Sequence, residues 1–239
     1  MHALLRIIVL SLGVSLLWAC TDEAQESKEA NVAPGKSEQT AANEALSLLQ
    51  MSAQLAQLAV ADEDAAMLAQ AAKLRARVAT EALEAEATQG ESEQTGTESE
   101  KETSFEHMSA ADMLELAREF AGDDETLLAL IDGTLVAEVR SRGMVGGART
   151  IQDVVGAYSE VFYRNVYFEG GAPAEVLLIG DGDTDLDLII YDEFGNVICA
   201  SESMSDREYC AWQPRWTGAF TIEVSNFGSV WNAYILATN

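Results

Sequence analysis

Positive charge is what this chain has least of. Lys+Arg number 14 against 40 Asp+Glu in 239 residues, giving a net charge of -26 and a pI near 4.1. Phosphate binding needs clustered Lys and Arg to displace counterions, so nucleic acid is excluded as a partner. The same balance opposes attraction to anionic lipid heads and favours solubility, cations or a basic partner. Histidine is scarcer still. Beyond the leading segment only His107 remains, beside a polar linker, where it reads as an exposed residue ahead of a helix. A Ser-His-Asp or Cys-His site would have to be built on it. No P-loop or G-x-G-x-x-G follows a strand, and Gly143, Gly146 and Gly147 lack the Lys of a phosphate site. Carboxylates are so abundant that no pair of the glycosidase kind stands out. The chain therefore reads as a non-enzyme.

Long apolar runs are missing as well. The longest, Ile7 to Trp18, has twelve residues, a helix of about 18 Å against a hydrocarbon core of about 30 Å. It is too short to span and reads as the apolar part of a signal peptide, residues 1–19. The run ends Leu17-Trp18-Ala19-Cys20, which resembles the bacterial lipobox, in which the Cys is lipidated and becomes the first residue. Trp18 departs from that pattern, whose position usually holds a smaller residue. Ordinary secretion and an uncleaved helix are the alternatives, though Leu17 spoils a small-x-small cleavage site. In the sorting pattern this resembles, Thr21 after the Cys implies the outer membrane. The resemblance thus implies attachment to a membrane through a lipid on Cys20.

What is present falls into zones. Residues 20–40 are polar with a Pro-Gly and read as a flexible tether. Residues 41–88, rich in Ala, Leu, Gln and Glu without Gly or Pro, are helical by propensity. Leu48, Met51, Leu55 and Leu58 form an apolar stripe that could drive self-association or pack on the chain itself. The phase breaks at Asp62-Glu63-Asp64, so one long helix and a hairpin capped at Asp62 are both open. Residues 89–104 have no large apolar side chain and read as a disordered linker. In 105–149 two short helices are expected, the first with a capping box at Ser109–Asp112 and a stop at Gly122, the second capped by Asp123 or Asp124. Their apolar faces are expected to dock most simply on the following domain.

From about Thr150 the hydrophobic period changes to two. Eight short runs separated by turns predict an antiparallel sandwich over 150–239: Ile151–Val155, Val161–Phe168, Glu175–Ile179, Leu186–Tyr191, Val197–Ala200, Tyr209–Trp212, Ala219–Ser225 and Ala233–Thr238. The fold class is α+β by segments, Ala-rich helices followed by an all-β domain. Cys199 and Cys210 have spacing that fits a disulfide across one hairpin in an oxidising compartment; two buried free thiols are the alternative, and without a nearby His they make no zinc site. The sandwich segment also resembles the bacterial pre-peptidase C-terminal domain. The resemblance rests on Asp185-Leu186-Asp187-Leu188, Tyr191-Asp192 with Gly195-Asn196, Trp216-Thr217-Gly218, Asn226, and Asn232-x-Tyr234. That family implies a jelly-roll-type β-sandwich, often appended to secreted proteases, and says little about function.

Asp181, Asp183, Asp185 and Asp187 alternate behind Gly180 and Gly182 and could wrap calcium, the one candidate cofactor. The competing reading is a solvated strand edge. Same-face carboxylates about 7 Å apart repel by only about 0.6 kcal/mol in water and about 2 kcal/mol at an effective dielectric of 20. Trp212, Trp216 and Trp231 with Tyr163, Tyr167 and Tyr234 are either core or a platform for protein or glycan. The sequence therefore describes a non-catalytic envelope lipoprotein with a β-sandwich interaction module. A calcium-dependent or glycan-binding adhesion module and an accessory partner of a secreted protease are the rival functions.

Overall fold

Alanine lets helices approach closely, and the first half of the chain uses it in that way. The computed structural model describes residues 28–34, 41–90, 108–140 and 145–239; the leading segment with Cys20 and Thr21, linker residues 91–104, and His107 lie outside the described residues. Helix α1 (Ala41–Ala61) is followed by α2 (Ala65–Arg75). The pair is a hairpin rather than one long helix. Asp64, not Asp62, caps α2 by accepting from the Met67 N–H at 2.9 Å, and Glu63 takes the turn with φ 52°. After an excursion into the sandwich the chain returns as α3 (Ala110–Ala121) and α4 (Glu125–Arg140). The Ser109–Asp112 capping box forms, Gly122 ends α3 with φ 54°, and Asp124 accepts from the Thr126 and Leu127 N–H groups. Each cap satisfies backbone donors that the first helical turn leaves orphaned.

Among the described residues the sandwich holds ten strands: β1 (Val78–Ala82), β2 (Glu86–Gln89), β3 (Val145–Val155), β4 (Ser159–Phe168), β5 (Ala174–Gly180), β6 (Leu186–Tyr191), β7 (Val197–Ser201), β8 (Arg207–Trp212), β9 (Gly218–Asn226) and β10 (Asn232–Thr238). One sheet runs β1-β3-β10-β5-β8 and the other β2-β4-β9-β6-β7. All eight expected strands are present, and their order, β3-β10-β5-β8 over β4-β9-β6-β7, is that of a jelly roll. Between the sheets lie Val176 and Leu178 of β5, Leu186, Leu188 and Ile190 of β6, Phe220, Ile222 and Val224 of β9, and Trp212 against Phe168 at 4.8 Å.

Strands β1 and β2 correct the sequence boundaries. Helix stops at Arg75, and part of the expected 41–88 helical region adds an edge strand to each sheet. β1 runs parallel to β3 and β2 antiparallel to β4. Four of the five β1 residues and all of β2 lack a buried side chain, so neither shows a period-two pattern. Pairing makes them strands, with Leu83 between them buried in the core and its N–H donating to the Thr150 carbonyl.

Strand β5 is buried on both faces because α1 covers the outer one. Leu46, Leu48, Leu49 and Ala53 of α1 meet Leu177, Ile179 and Ala237. The stripe read for self-association is therefore split. Leu48 is buried against the sandwich, while Met51 and Leu58 are 50% and 55% exposed. Helices α3 and α4 do not find their main partner in the following domain. Met113, Leu114, Ala117 and Ile131 pack with Leu68, Ala69 and Ala72 of α2, making a second core that is wholly helical.

Cys199 and Cys210 are disulfide-bonded, S–S 2.05 Å. The bridge is not across one hairpin: β7 and β8 are consecutive but belong to opposite sheets, so it staples the sandwich along its edge.

Candidate functional site

The turns divide between two ends of the sandwich. At one end are the turns 180–186, 201–207 and 226–232; at the other 168–174, 191–197 and 212–218. All four candidate calcium aspartates belong to the first end or its margin, and the structure sends them in different directions. Asp181 is buried, its Oδ2 accepting from the Ala233 N–H at 2.9 Å and its own N–H donating to Asn232 Oδ1. Asp183 Oδ1 accepts from Asn232 Nδ2 at 3.4 Å. The Asp185 carbonyl accepts from Phe227 N–H, and Asp187 projects from β6 on the face away from Leu186 and Leu188. Among the described residues no three Asp, Glu, His or Cys side chains are grouped to hold a metal ion.

Burial pushes the Asp181 carboxyl up to about 7, reinforced by its hydrogen bond with Asp183 and opposed by the Ala233 N–H. Burial, then the charges of Asp185, Glu202, Glu208 and Glu223, lift Asp187 to about 6. Asp181 and Asp183 are turned to the protein's own donors, while Asp187 lies among like charges.

Two acids that sequence reasoning passed over complete this end. Asp206 Oδ2 accepts from the Gly182 N–H, and its carbonyl accepts from Gly180. A side chain at Gly180 would meet Asn232 Oδ1 at 2.6 Å and Asp206 Oδ2 at 2.7 Å, so the position requires glycine. Glu208, 2% exposed, accepts from the hydroxyls of Ser201, Ser203 and Ser205 and from the Ser203 N–H. The Ser-x-Ser-x-Ser run just before that Glu was the available signal.

The aromatic candidates separate in the same way. Trp212, Phe168 and Phe220 pack together in the core. Tyr163 and Tyr234 are fully buried, their hydroxyls 2.6 Å apart, and the Tyr163 hydroxyl donates to Asp153 Oδ2 at 2.8 Å. Burial raises both phenols far above their ordinary range. Tyr167 is exposed, and Trp216 is tilted 49° against Phe194 at the second end.

That second end is tied by residues 28–34, part of the stretch expected to be a free tether. Asn31 is fully buried there. Its Oδ1 accepts from the Arg215 and Trp216 N–H groups at 2.9 and 3.1 Å, its Nδ2 donates to the Trp216 carbonyl, and its N–H donates to Asp192 Oδ2. Burial alone would raise the Asp192 carboxyl. Donors from Asn196, Asn31 and Phe194 outweigh that and hold it below the usual carboxylate range.

The helices and the sandwich share a groove of about 620 Å³. Leu49 of α1 and Val78, Ile179 and Ile235 of the β1 sheet line it with buried apolar side chains. Arg75, Glu81 and Gln152 supply polar positions, and among the described residues the lining includes no His or Cys. Edge strand β1 contributes Thr80 and Ala82, and the start of α3 contributes Ser109 and Ala110. Such a shape suits apolar side chains with a few polar anchors.

No protein-family model matches the chain, and no curated protein matches it in sequence. Several solved structures show partial likeness, three of them as follows. The periplasmic inhibitor of g-type lysozyme from Aeromonas hydrophila, PliG, has TM-score 0.31 and 11% identity over 38% of this chain and 84% of that one. The Yersinia pseudotuberculosis-derived mitogen has TM-score 0.30 and 12% identity, over 39% and 85%. The pre-peptidase C-terminal domain of collagenase from Bacillus anthracis has TM-score 0.28 and 9% identity, over 39% and 88%. Among the described residues no helix is long and apolar enough to cross a membrane.

Proposed function

We propose that this protein is a non-catalytic, lipid-anchored protein of the cell envelope whose groove between helices and sandwich holds a segment of a protein partner. The groove carries the reading. Its lining combines buried Leu, Val and Ile side chains with an edge strand, β1, that among the described residues has one paired neighbour in its sheet. An edge strand beside apolar pockets is the geometry by which extended peptides are bound through added strand pairing. Anchoring is supported by Leu17-Trp18-Ala19-Cys20 after a short apolar run, and non-catalysis by the want of a second histidine beyond the leading segment.

A photo-crosslinking amino acid at Gln152, inside the groove, tests the binding half of this reading. In native envelopes it is expected to give a discrete protein adduct that the same probe at the exposed, outlying Glu119 does not give. Adducts equal at both positions, or none at Gln152, would overturn it. Cys20→Ala is expected to lose acyl labelling and to leave the membrane fraction; a wild-type chain without acyl mass refutes the anchor.

A further inference from the structure

We infer that the sandwich end tied by residues 28–34 is the surface that rests on the lipid bilayer, with the aspartate-rich end pointing away from it. The inference rests on the anchoring reading above and adds an orientation to it. Only eight positions separate Cys20 from Lys28, the first described residue of the strap. Fully extended, they reach at most about 29 Å. The nine residues of β9 alone run about 30 Å from one end of the sandwich to the other. The leash is thus no longer than the body it holds, and it starts at the strap end, where Lys28 and Asn31 are fixed by Asn196, Asp192, Arg215 and Trp216.

The chemistry of the two ends agrees with that reach. At the strap end Phe194 is 42% exposed and Val197 57% exposed, with Trp216 half-buried beside Phe194. Lys28 Nζ lies 4.4 Å from the Phe194 ring centre. Aromatic rings flanked by Lys and Arg are what the headgroup layer of a bilayer favours. Most carboxylates here have partners: Glu29 pairs with Arg215, Glu193 accepts from the Trp216 indole, and Asp192 accepts from Asn31 and Asn196; Glu29, Glu193 and Glu169 are exposed. The opposite end gathers Asp181, Asp183, Asp185, Asp187, Glu202, Asp206 and Glu208, with Arg207 as the cation among them. An anionic leaflet repels that end. Net charge opposes membrane binding by the protein as a whole, and its uneven placement decides which end an anchored molecule turns inward.

Wild-type acylated protein in phosphatidylcholine vesicles gives the first test, by hydroxyl-radical footprinting against the same protein in detergent. Phe194 oxidation is expected to fall at least threefold on vesicles, while Met204 and Phe227, exposed at the far end, oxidise as before. Headgroup nitroxide lipids give the second. They are expected to quench tryptophan fluorescence in wild type and in Trp231→Phe, and to lose most of that quenching in Trp216→Phe. Equal protection at both ends, protection of Met204 and Phe227 instead, or quenching that follows Trp231 overturns the orientation. Mass on the Cys20 peptide is read separately. If it carries no acyl chain, the anchor reading fails, and the chain from Cys20 coupled there to a maleimide lipid still reports which end meets the bilayer.

Discussion

At the scale of single residues, the strongest local dependence is on Asn31. It closes one end of the sandwich from a distance of more than 180 positions along the chain, using every polar atom of its side chain. Asn31→Ala leaves the part-buried Arg215 and Trp216 N–H groups without their acceptor, at about 1–2 kcal/mol each. The expected loss is about 3 kcal/mol in denaturant unfolding, with faster proteolysis within 28–34; a midpoint unchanged from wild type would refute the keystone role. Asp181 gives the pH dependence. Its folded value of about 7 lies above the ordinary 3.8, so the fold favours the protonated form. That stability is complete below about pH 4 and is lost as pH rises through 7. Asp181→Asn, neutral at every pH, is therefore expected to melt a few degrees higher than wild type at pH 8 and no higher at pH 4. Asp187, lifted to about 6, keeps part of the slope in the variant. A Tm difference that is the same at both pH values would refute the assignment. Little of this was legible beforehand. Asn31 sits among residues with the composition of a loose tether, and nothing local betrays a partner at Trp216.

At the scale of elements, legibility followed whether burial is written locally. Strand β6 alternates Leu186, Leu188 and Ile190 with wetter neighbours, and its bounds were read to the residue. The capping box at Ser109 and the stop at Gly122 were equally plain, because a cap is a contact between residues three or four apart. Strands β1 and β2 were read as part of the helical region 41–88, with Gln89 alone falling in the linker. Their sequences, Val-Ala-Thr-Glu-Ala and Glu-Ala-Thr-Gln, carry little β preference, and their pairing with β3 and β4 comes from residues more than 60 positions away. The disulfide was legible as a pair but not as a link between sheets. It closes a loop with a sequence separation of 11, for which loop-closure entropy predicts about 3 kcal/mol. Reduction, or Cys199→Ser with Cys210→Ser, is expected to lower the unfolding free energy by that amount. Non-reducing peptide mapping should recover the two cysteines joined; two freely alkylated thiols in the native protein would contradict the staple.

At the scale of the molecule, the helical layer and the sandwich share α1, whose first half packs on β5 and β10 and whose second half enters the helical core. Composition and period announced both layers. The groove between them was not legible, since it is bounded by Leu49, Val78 and Ile235, three positions that meet only in the folded chain. The strand order carries a consequence for how the chain acquires this shape. β10, the last of the described strands in chain order, is the middle strand of its sheet, with β3 on one side and β5 on the other. Until residues 232–238 exist, β1-β3 and β5-β8 have nothing to join them, and α1 has only half a surface to settle on. Loop closures this long are slow to form. A chain without residues 232–238 therefore stays open, and it commits to its final form only once that stretch can slot between β3 and β5.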